Sequence, residues 1–170
     1  MNEAGMVAPS SRFLVRKMVE PINFEQARTI VEFGPGTGVV TKELLKRMGR
    51  ETSLISMEIN KGFYEECRKI VDERFTLLNQ SAHTIREVLD EKGIENVDYV
   101  ISSLPLAIIP TEIKAAILDS AKLVLKPGGK YVQFQYSLTD RKRILQRFDT
   151  MSIGFTPINI PPAFVYKCVK

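Results

Sequence analysis

Short apolar runs alternate with longer amphipathic stretches along the chain from residue 29 onward. The apolar runs have the length of buried strands, and they lie at residues 29–33, 53–57, 75–78, 97–101 and 131–136. Two of the stretches between them, residues 40–48 and 111–124, show helical spacing, and Thr111 is a candidate N-cap of the second. This alternation is typical of an α/β protein built on a parallel sheet.

The C-terminal part departs from the alternation. Two β-like runs, at residues 155–160 and 163–169, are separated only by Pro161 and Pro162. Because this link is too short for a helical crossover, the two runs predict an antiparallel hairpin at one end of an otherwise parallel sheet.

The segment before the first strand mixes apolar and basic positions at helical spacing. Ser10 or Ser11 can cap a short helix there. Its apolar positions are Phe13, Leu14 and Met18, and its basic positions are Arg12, Arg16 and Lys17. The helix can pack on the edge of the domain, or it can form a lid or a basic face that meets anionic lipid. Both interpretations stay open.

Composition limits the classes of protein. At 170 residues, with 44% hydrophobic and 26% charged residues, the chain fits one globular domain spanning residues 1–170. No stretch approaches 18 apolar residues and no secretory signal is recognisable, so we expect neither a membrane span nor export. Cys67, Cys168 and a single histidine, His83, predict no metal site and fit a reducing compartment. The net charge of +4 permits an anionic partner without identifying one.

The most informative motif is Glu-Phe-Gly-Pro-Gly-Thr-Gly at residues 32–38, between the first predicted strand and a helix. Closely spaced glycines let the backbone turn sharply and approach a ligand, which then faces the N–H groups of the helix. The lysine and hydroxyl of a P-loop are absent, and Val39 stands where a dinucleotide fingerprint needs glycine. Glu58 closes the second strand, where a carboxylate accepts hydrogen bonds from ribose hydroxyls.

Glu32-x-Gly34-x-Gly36-x-Gly38 together with Glu58 resembles the cofactor site of class I S-adenosylmethionine-dependent methyltransferases, over nearly the whole chain. The resemblance implies a Rossmann-like α/β fold, with a seven-stranded mostly parallel sheet, a C-terminal antiparallel hairpin and helices on both faces. It implies S-adenosylmethionine as cofactor, with Glu32 near its amino group and sulfonium and Glu58 on its ribose. A cationic sulfonium favours nearby carboxylates.

The cofactor-binding residues that this resemblance implies follow the first four strands. They are Glu32, Gly34, Pro35, Gly36, Thr37, Gly38, Glu58, Ile59, Gln80, Ser81, Ala82 and Ser102. Family members often carry an acid near position 81 for the adenine amino group, so Ser81 or Gln80 would have to make that contact here. Ile59 would pack against the adenine face.

The methyl acceptor is expected at the run Ser-Ser-Leu-Pro-Leu, residues 102–106. An adenine N-methyltransferase would resemble Asn-Pro-Pro-Tyr or Asn-Leu-Pro-Tyr here, with an amide and a ring that hold the flipped base. Ser103 replaces the amide, and Leu106 replaces the ring. Without the ring, the site loses about 1–3 kcal/mol of base stacking. This difference argues against adenine, and the apolar residues 106–109 suit an apolar acceptor.

Three local runs resemble bacterial phospholipid N-methyltransferases. They are Gly-Met-Val-Ala-Pro-Ser-Ser-Arg-Phe-Leu at residues 5–14, Ser-Ser-Leu-Pro-Leu at 102–106 and Asn-x-Pro-Pro-Ala-x-Val-Tyr at 159–166. The resemblance implies methylation of the phosphatidylethanolamine amine, and makes residues 1–24 a helical lid and membrane contact. The implied substrate and membrane contacts are Arg12, Phe13, Arg16, Lys17, Leu104 and Leu106.

Methyl transfer to an ammonium group requires an aligned amine and the loss of one proton. The predicted catalytic residues are Ser103, Pro105 and Tyr136, with Tyr136 orienting the amine from the end of the fifth strand. A purely structural Tyr136 stays an alternative. The general base is open among Glu32, His83, Tyr136 and a water held by Ser103.

Two other functions stay open. Residues 32–38 suit an rRNA adenine N6-dimethyltransferase, although the altered acceptor run and the lack of a predicted C-terminal helical domain oppose it. A non-catalytic S-adenosylmethionine-binding module would also keep Glu32 and Glu58. The basic run at residues 141–143 suits phosphate in either lipid or RNA. We therefore predict a cytoplasmic enzyme at the inner membrane face, acting on a phospholipid or another apolar amine rather than nucleic acid, without a metal.

Overall fold

The computed structural model describes residues 12–170, so the predicted caps Ser10 and Ser11 lie outside the described residues. The helices are α1 (Arg12–Val19), α2 (Val39–Arg47), α3 (Lys61–Cys67), α4 (Ile85–Glu91), α5 (Thr111–Val124) and α6 (Arg141–Leu145). The strands are β1 (Thr29–Phe33), β2 (Ser53–Met57), β3 (Phe75–Leu78), β4 (Val97–Ser102), β5 (Leu125–Gln135), β6 (Thr150–Thr156) and β7 (Ala163–Val169). Single 3₁₀ turns, Ala82–Thr84 and Leu106–Ile108, follow β3 and β4.

All seven strands belong to one sheet, in the order β3-β2-β1-β4-β5-β7-β6. Strands β1 to β5 are parallel, and β7 runs antiparallel between β5 and β6. The carboxyl ends of β1 to β5 and of β6 therefore lie along one edge of the sheet, here called the carboxyl edge. The predicted mostly parallel sheet with a C-terminal antiparallel hairpin is confirmed.

The first strand of the hairpin lies earlier than the sequence predicts. β6 spans Thr150–Thr156, whereas the apolar run at residues 155–160 mostly forms the loop to β7. β6 is the last strand of the sheet, and only alternate side chains such as Met151 and Ile153 pack on the core. An edge strand needs one apolar face rather than an apolar run, so the isoleucines of the loop gave the stronger but misleading signal.

Two further boundaries differ from the predictions. β5 begins at Leu125, because Leu125 pairs with Val97 ahead of the Pro-Gly-Gly turn and the ladder resumes at Lys130. β5 ends at Gln135, so Tyr136 follows the strand instead of ending it. Pro110 occupies the N-cap of α5 and Thr111 is the first helical residue, so the predicted Thr111 cap is wrong by one position.

Helices cover both faces of the sheet and enclose two hydrophobic cores. α4 and α5 bury their apolar residues on one face, and α1 and α2 bury theirs on the other. Helix α1 packs through four buried side chains, Leu14, Val15, Met18 and Val19, and leaves Arg12, Phe13 and Arg16 exposed. Within residues 12–170 no helix is both long and apolar enough to cross a bilayer.

Candidate active site

The glycine loop, residues 34–38, leaves β1 at the centre of the carboxyl edge. Gly34 has φ +68° and Gly36 has φ +57°, conformations that favour glycine. A Cβ on Gly34 would lie 2.7 Å from Leu104 Cδ2, whereas a Cβ on Gly36 would meet nothing within 4 Å. The loop is therefore closed towards residue 104 and open at Gly36, where a ligand can approach the backbone.

Glu32, on β1, is a fully buried acid beside this loop. Its Oε2 accepts hydrogen bonds from Ser56 Oγ at 2.6 Å and Thr41 Oγ1 at 2.8 Å, but its Oε1 is buried without a hydrogen-bond partner. Burial raises the pKa of Glu32 to about 7, against the lowering effect of the two hydroxyls. Glu32 Oε1 is therefore a hydrogen-bond acceptor that no donor in the described residues satisfies.

Glu58 follows β2 directly and is largely buried. Its Oε2 accepts from the Gly36 N–H at 3.1 Å and its Oε1 from the Asn60 N–H at 2.8 Å, which ties the carboxylate to the glycine loop. Asn79 Nδ2, from the end of β3, donates to the Glu58 carbonyl at 2.6 Å. Because a carboxylate offers about four acceptor positions, Glu58 could also accept hydrogen bonds from the two hydroxyls of a ribose.

The residues predicted for the adenine lie after β2 and β3. Ile59 is 68% exposed, and Gln80 is exposed as well. Ser81 Oγ shares a hydrogen bond with His83 Nδ1 at 2.8 Å, and Ala82 is buried. Ile59 thus offers an apolar surface at the carboxyl edge, while the Ser81 hydroxyl is already engaged by a side chain of its own loop.

The acceptor loop, residues 103–109, leaves β4 next to the glycine loop. The Ser103 N–H donates to the Phe33 carbonyl at 2.9 Å, and the Leu104 N–H to Ser102 Oγ at 3.4 Å. Ser103 Oγ is buried without a hydrogen-bond partner. Among residues 12–170 three other buried side-chain atoms also lack a hydrogen-bond partner, Glu32 Oε1, Arg86 Nε and Thr156 Oγ1. Of these, Glu32 belongs to β1, the strand adjacent to β4, so the ends of two adjacent strands each carry an unsatisfied polar atom.

Leu106 does not lie where the sequence analysis placed it. The residue is fully buried in the core under α5, because the 3₁₀ turn Leu106–Ile108 directs it inward, and Ile108 is exposed instead. The expectation that Leu106 contacts the substrate is therefore corrected. The apolar rim consists of Ile108 and the half-buried Leu104 and Ile109, beside the exposed Pro105.

Two residues of β5 support the acceptor loop and were missed in the sequence. Gln133 Nε2 donates to the Leu104 carbonyl at 2.9 Å, and Tyr131 Oη donates to Gln133 Oε1 at 2.6 Å. Both side chains are fully buried. The available signal was a glutamine between the apolar residues Val132 and Phe134 of a central strand, since a buried amide needs specific partners. Thr41 and Ser56, which hold Glu32, are polar exceptions of the same kind.

The end of β5 carries Tyr136 and a buried ion pair. Tyr136 is partly exposed and packs edge-on against Phe134, with 5.5 Å between ring centroids. Asp140 Oδ1 accepts from Lys114 Nζ at 2.8 Å, with both side chains buried, and Arg143 Nε lies 3.8 Å away. Gln135 Nε2 lies 3.4 Å from Asp140 Oδ2. This pair joins α5 to the start of α6, and it explains why Lys114 rather than Ile113 faces inward on α5.

The carboxyl edge thus brings together the predicted residues that follow β1, β2, β4 and β5. The predicted substrate or membrane residues Arg12, Phe13, Arg16 and Lys17 lie on α1, which packs on one face of the sheet beside β5, β6 and β7. No group of three or more His, Cys, Asp or Glu residues in the described part of the chain is placed to hold a metal ion.

Comparison with known proteins identifies the family. A family profile described as a methyltransferase domain matches residues 30–129. The ornithine lipid N-methyltransferase of Singulisphaera acidiphila is 33% identical over 165 residues, which cover 95% of this chain and 86% of that protein. The chain therefore belongs to the class I S-adenosylmethionine-dependent methyltransferases.

Solved structures agree on the fold. An O-methyltransferase from Bacillus cereus in complex with SAH has a TM-score of 0.75 at 13% identity, covering 94% of this chain and 82% of that one. The precorrin-6y C5,15-methyltransferase from Geobacter metallireducens has a TM-score of 0.74 at 15% identity, covering 92% and 88%. The predicted class, enzymatic character and S-adenosylmethionine cofactor are confirmed, while the roles of individual residues stay predictions.

Proposed function

We propose that this enzyme N-methylates the amine of a membrane lipid. The observation that carries the proposal is the pair of buried polar atoms without partners, Glu32 Oε1 and Ser103 Oγ, at the ends of adjacent strands. Leaving such an atom unsatisfied costs about 1–3 kcal/mol, a cost that a bound polar group removes. One atom suits a cationic cofactor and the other suits an amine on the acceptor side.

The cofactor, when bound, supplies an activated methyl group on a sulfonium. In our proposal Glu32 accepts hydrogen bonds from its amino group, Glu58 holds its ribose, and the open backbone at Gly36 lies against its methionine part. Thr41 and Ser56 orient Glu32 through their hydroxyls. The apolar face of Ile59 covers the adenine, with Gln80 and Ser81 beside it. The pKa of Glu32, near 7, falls when a cation lies beside it.

On the acceptor side, Ser103 Oγ accepts a hydrogen bond from the amine, and the exposed Pro105 lies beside it in the acceptor loop. The rim has no aromatic ring in the acceptor loop to stack a base, and its exposed members are apolar. These features support a lipid amine over adenine. We assign to Tyr136, which follows β5, the role of orienting the amine.

The choice of lipid rests on two sources that differ. The resemblance of three short runs favours phosphatidylethanolamine, whereas the relative at 33% identity is named for ornithine lipid. Both lipids carry a primary amine in a polar headgroup attached to acyl chains, so one acceptor site can serve either lipid. We propose that lipid amine as the substrate class, with peripheral contact to an anionic membrane.

The test is methyl transfer from labelled S-adenosylmethionine to detergent micelles that carry ornithine lipid, phosphatidylethanolamine, or neither. A parallel arm offers unmethylated ribosomal RNA. We expect label in one or both lipid arms and background in the arm without either lipid and in the RNA arm. Ser103→Ala should lower turnover about tenfold, the loss of one hydrogen bond to a charged group. Ser152→Ala, an exposed serine on β6, is the matched control and should leave turnover unchanged.

Each other outcome contradicts the proposal in its own way. Label in RNA alone would support the adenine methyltransferase alternative. Binding of S-adenosylhomocysteine without label in any arm would support the non-catalytic alternative. A Ser103→Ala enzyme as active as the Ser152→Ala control would show that the acceptor amine does not use the Ser103 hydroxyl.

A further inference from the structure

The exposed apolar side chains are unevenly distributed between the two edges of the sheet. Those that follow the carboxyl end of a strand are Ile59, Ile108, Tyr136, Leu138, Ile158 and Ile160. At the opposite edge, Val71, Leu123 and Leu145 precede β3, β5 and β6. Scattered exposed apolar residues are normal, whereas a concentration on one side indicates a surface that meets an apolar partner.

The hairpin loop, residues 157–162, is the most exposed part of this concentration. Ile158 is 62% exposed and Ile160 is 85% exposed, one on each side of the buried Asn159. Asn159 Nδ2 donates to the Pro161 carbonyl at 2.6 Å, and the Asn159 N–H donates to the Thr156 carbonyl at 3.4 Å. The loop is therefore held together from inside, and its two isoleucines project from a supported turn.

The hairpin loop lies on the acceptor side of the carboxyl edge. β7 is the direct neighbour of β5, and β5 is the neighbour of β4, from which the acceptor loop emerges. With a spacing of about 4.8 Å between strands, β4 and β7 are roughly 10 Å apart. A surface that contacts the hairpin loop therefore also lies near the acceptor loop.

Basic side chains flank the loop from both faces of the sheet. Arg141 and Lys142 begin α6 after β5 and are exposed, with one exposed acid, Glu112, at the start of α5. On the other face, Glu20 pairs with Lys167 and Lys17 lies near Gly154, so α1 points its Arg12 end towards the carboxyl edge. Apolar tips between cations match an anionic bilayer, whose headgroups attract each cation while its interior accepts the isoleucines.

Helix α1 offers only Phe13 as an exposed apolar side chain, since Leu14, Val15, Met18 and Val19 are buried against the sheet. We therefore infer that the hairpin loop, through Ile158 and Ile160, is the element that inserts into an anionic membrane surface beside the acceptor loop. The inference rests on the proposed lipid substrate, and it assigns α1 and α6 the electrostatic part of the contact.

The test is sedimentation of the full chain with vesicles of equal parts phosphatidylglycerol and phosphatidylcholine. These lipids carry no primary amine, so membrane contact is measured apart from methyl transfer. We expect Ile158→Ser/Ile160→Ser to weaken vesicle partitioning about tenfold or more, because two apolar anchors are lost. Val71→Ser/Leu123→Ser removes two exposed apolar residues at the opposite edge and should partition as the unmodified protein does.

Two further measurements make the result decisive. Thermal unfolding and S-adenosylhomocysteine affinity of Ile158→Ser/Ile160→Ser should match those of the unmodified protein, because both side chains project from the fold. Its turnover on the lipid amine in detergent micelles should be retained. Its turnover on the same lipid amine, added to phosphatidylglycerol and phosphatidylcholine vesicles, should fall. Failure of the unmodified protein to sediment with vesicles, or equal sedimentation of both double variants, overturns the inference even if the methyltransferase proposal stands. Loss of a dimer in light scattering without a change in sedimentation would instead show that the loop binds a second copy.

Discussion

Glu32 and Asp140 are both buried carboxylates at the carboxyl edge, but their partners differ. Asp140, on the acceptor side, is paired with Lys114 at 2.8 Å and approached by Gln135 and Arg143. Glu32, on the cofactor side, contacts only hydroxyl donors and keeps one oxygen without a partner. The protein supplies a cation to one carboxylate and leaves the other without one.

From this difference we predict that Asp140 is a structural carboxylate and that Glu32 is a ligand-binding one. A buried charge is costly unless a cation or several donors compensate it, and Asp140 is compensated within the fold. Glu32 is not, so burial raises its pKa to about 7 and its charged form gains most when a cationic ligand arrives. We therefore expect changes at Asp140 to act on stability and changes at Glu32 to act on ligand binding and pH dependence.

The largest effect is expected from breaking the structural pair. Lys114→Met leaves Asp140 buried without its main cation and should lower the free energy of unfolding by about 3–5 kcal/mol. Urea denaturation measures this change. Lys122→Met, which removes a half-buried lysine on the same helix together with its surface ion pair to Asp149 at 3.7 Å, should change the free energy of unfolding by less than about 1 kcal/mol. S-adenosylhomocysteine affinity should survive wherever Lys114→Met is folded. Equal stability of the two variants would show that the pair is not structural.

A somewhat smaller effect is expected from pH acting on Glu32. In the folded protein the pKa of Glu32 is about 7, whereas the ordinary pKa of a glutamate side chain is 4.5. The folded state thus binds more protons between these values, and the free energy of unfolding should fall as the pH rises through that interval. The contribution is about 3 kcal/mol, and it becomes constant above the interval.

Denaturation at about pH 5 and about pH 8 measures the effect, using Glu32→Gln as the reference. The unmodified protein should be destabilised relative to Glu32→Gln at the higher pH only. A constant difference between the two proteins would mean that Glu32 does not titrate in this range, and the contrast with Asp140 would lose its electrostatic basis.

Ligand binding by Glu32 is the next prediction in size. Glu32→Gln should weaken S-adenosylmethionine binding about tenfold to a hundredfold, the value of a hydrogen bond between charged groups. Binding near neutral pH should also release protons, because the cation lowers the pKa of Glu32. Calorimetry in two buffers of different ionisation enthalpy measures both effects. Glu25→Gln, an exposed acid, is the control, and proton release by the Glu32→Gln protein would point to another group.

The smallest effect is expected at Gln133. Gln133→Leu removes the hydrogen bond to the Leu104 carbonyl, so kcat/KM for the lipid amine should fall about threefold to tenfold. Tyr131→Phe should act in the same direction and less strongly, because it removes only the donor to Gln133. S-adenosylhomocysteine affinity should stay the same in both variants. A loss of cofactor affinity equal to the loss of kcat/KM would assign Gln133 to the general stability of the edge instead.

The cofactor side was largely predictable from the sequence. Its main features are local: a strand, a glycine-rich bend and a helix in succession, then an acid at the end of the next strand. Glu32, Gly36 and Glu58 belong to such short runs, and parallel strands bring the ends of these runs to one edge. The sequence analysis did not identify Thr41 and Ser56, which donate hydrogen bonds to Glu32 from a neighbouring helix and strand.

The acceptor side was less predictable because its contacts join distant residues. Gln133 supports the Leu104 carbonyl and Lys114 reaches Asp140, and neither pairing leaves a periodic signal. Leu106 was placed at the rim because it is apolar and follows Pro105, yet a 3₁₀ turn directs it into the core. The run that contains Ile158 and Ile160 has the apolar pattern of a strand, but it forms a loop that the hydrogen bonds of Asn159 hold together.

The order of strands and helices, the glycine bend and the two acids can be recognised in the linear chain, because each depends on neighbours a few positions away. Whether a given apolar residue is buried or exposed at the carboxyl edge, and which buried carboxylate has a cation, depends on elements that meet only in the folded sheet. Burial and charge pairing are properties of three-dimensional surroundings, and so only the tertiary structure shows that Asp140 is paired with a cation while Glu32 keeps an oxygen without a partner.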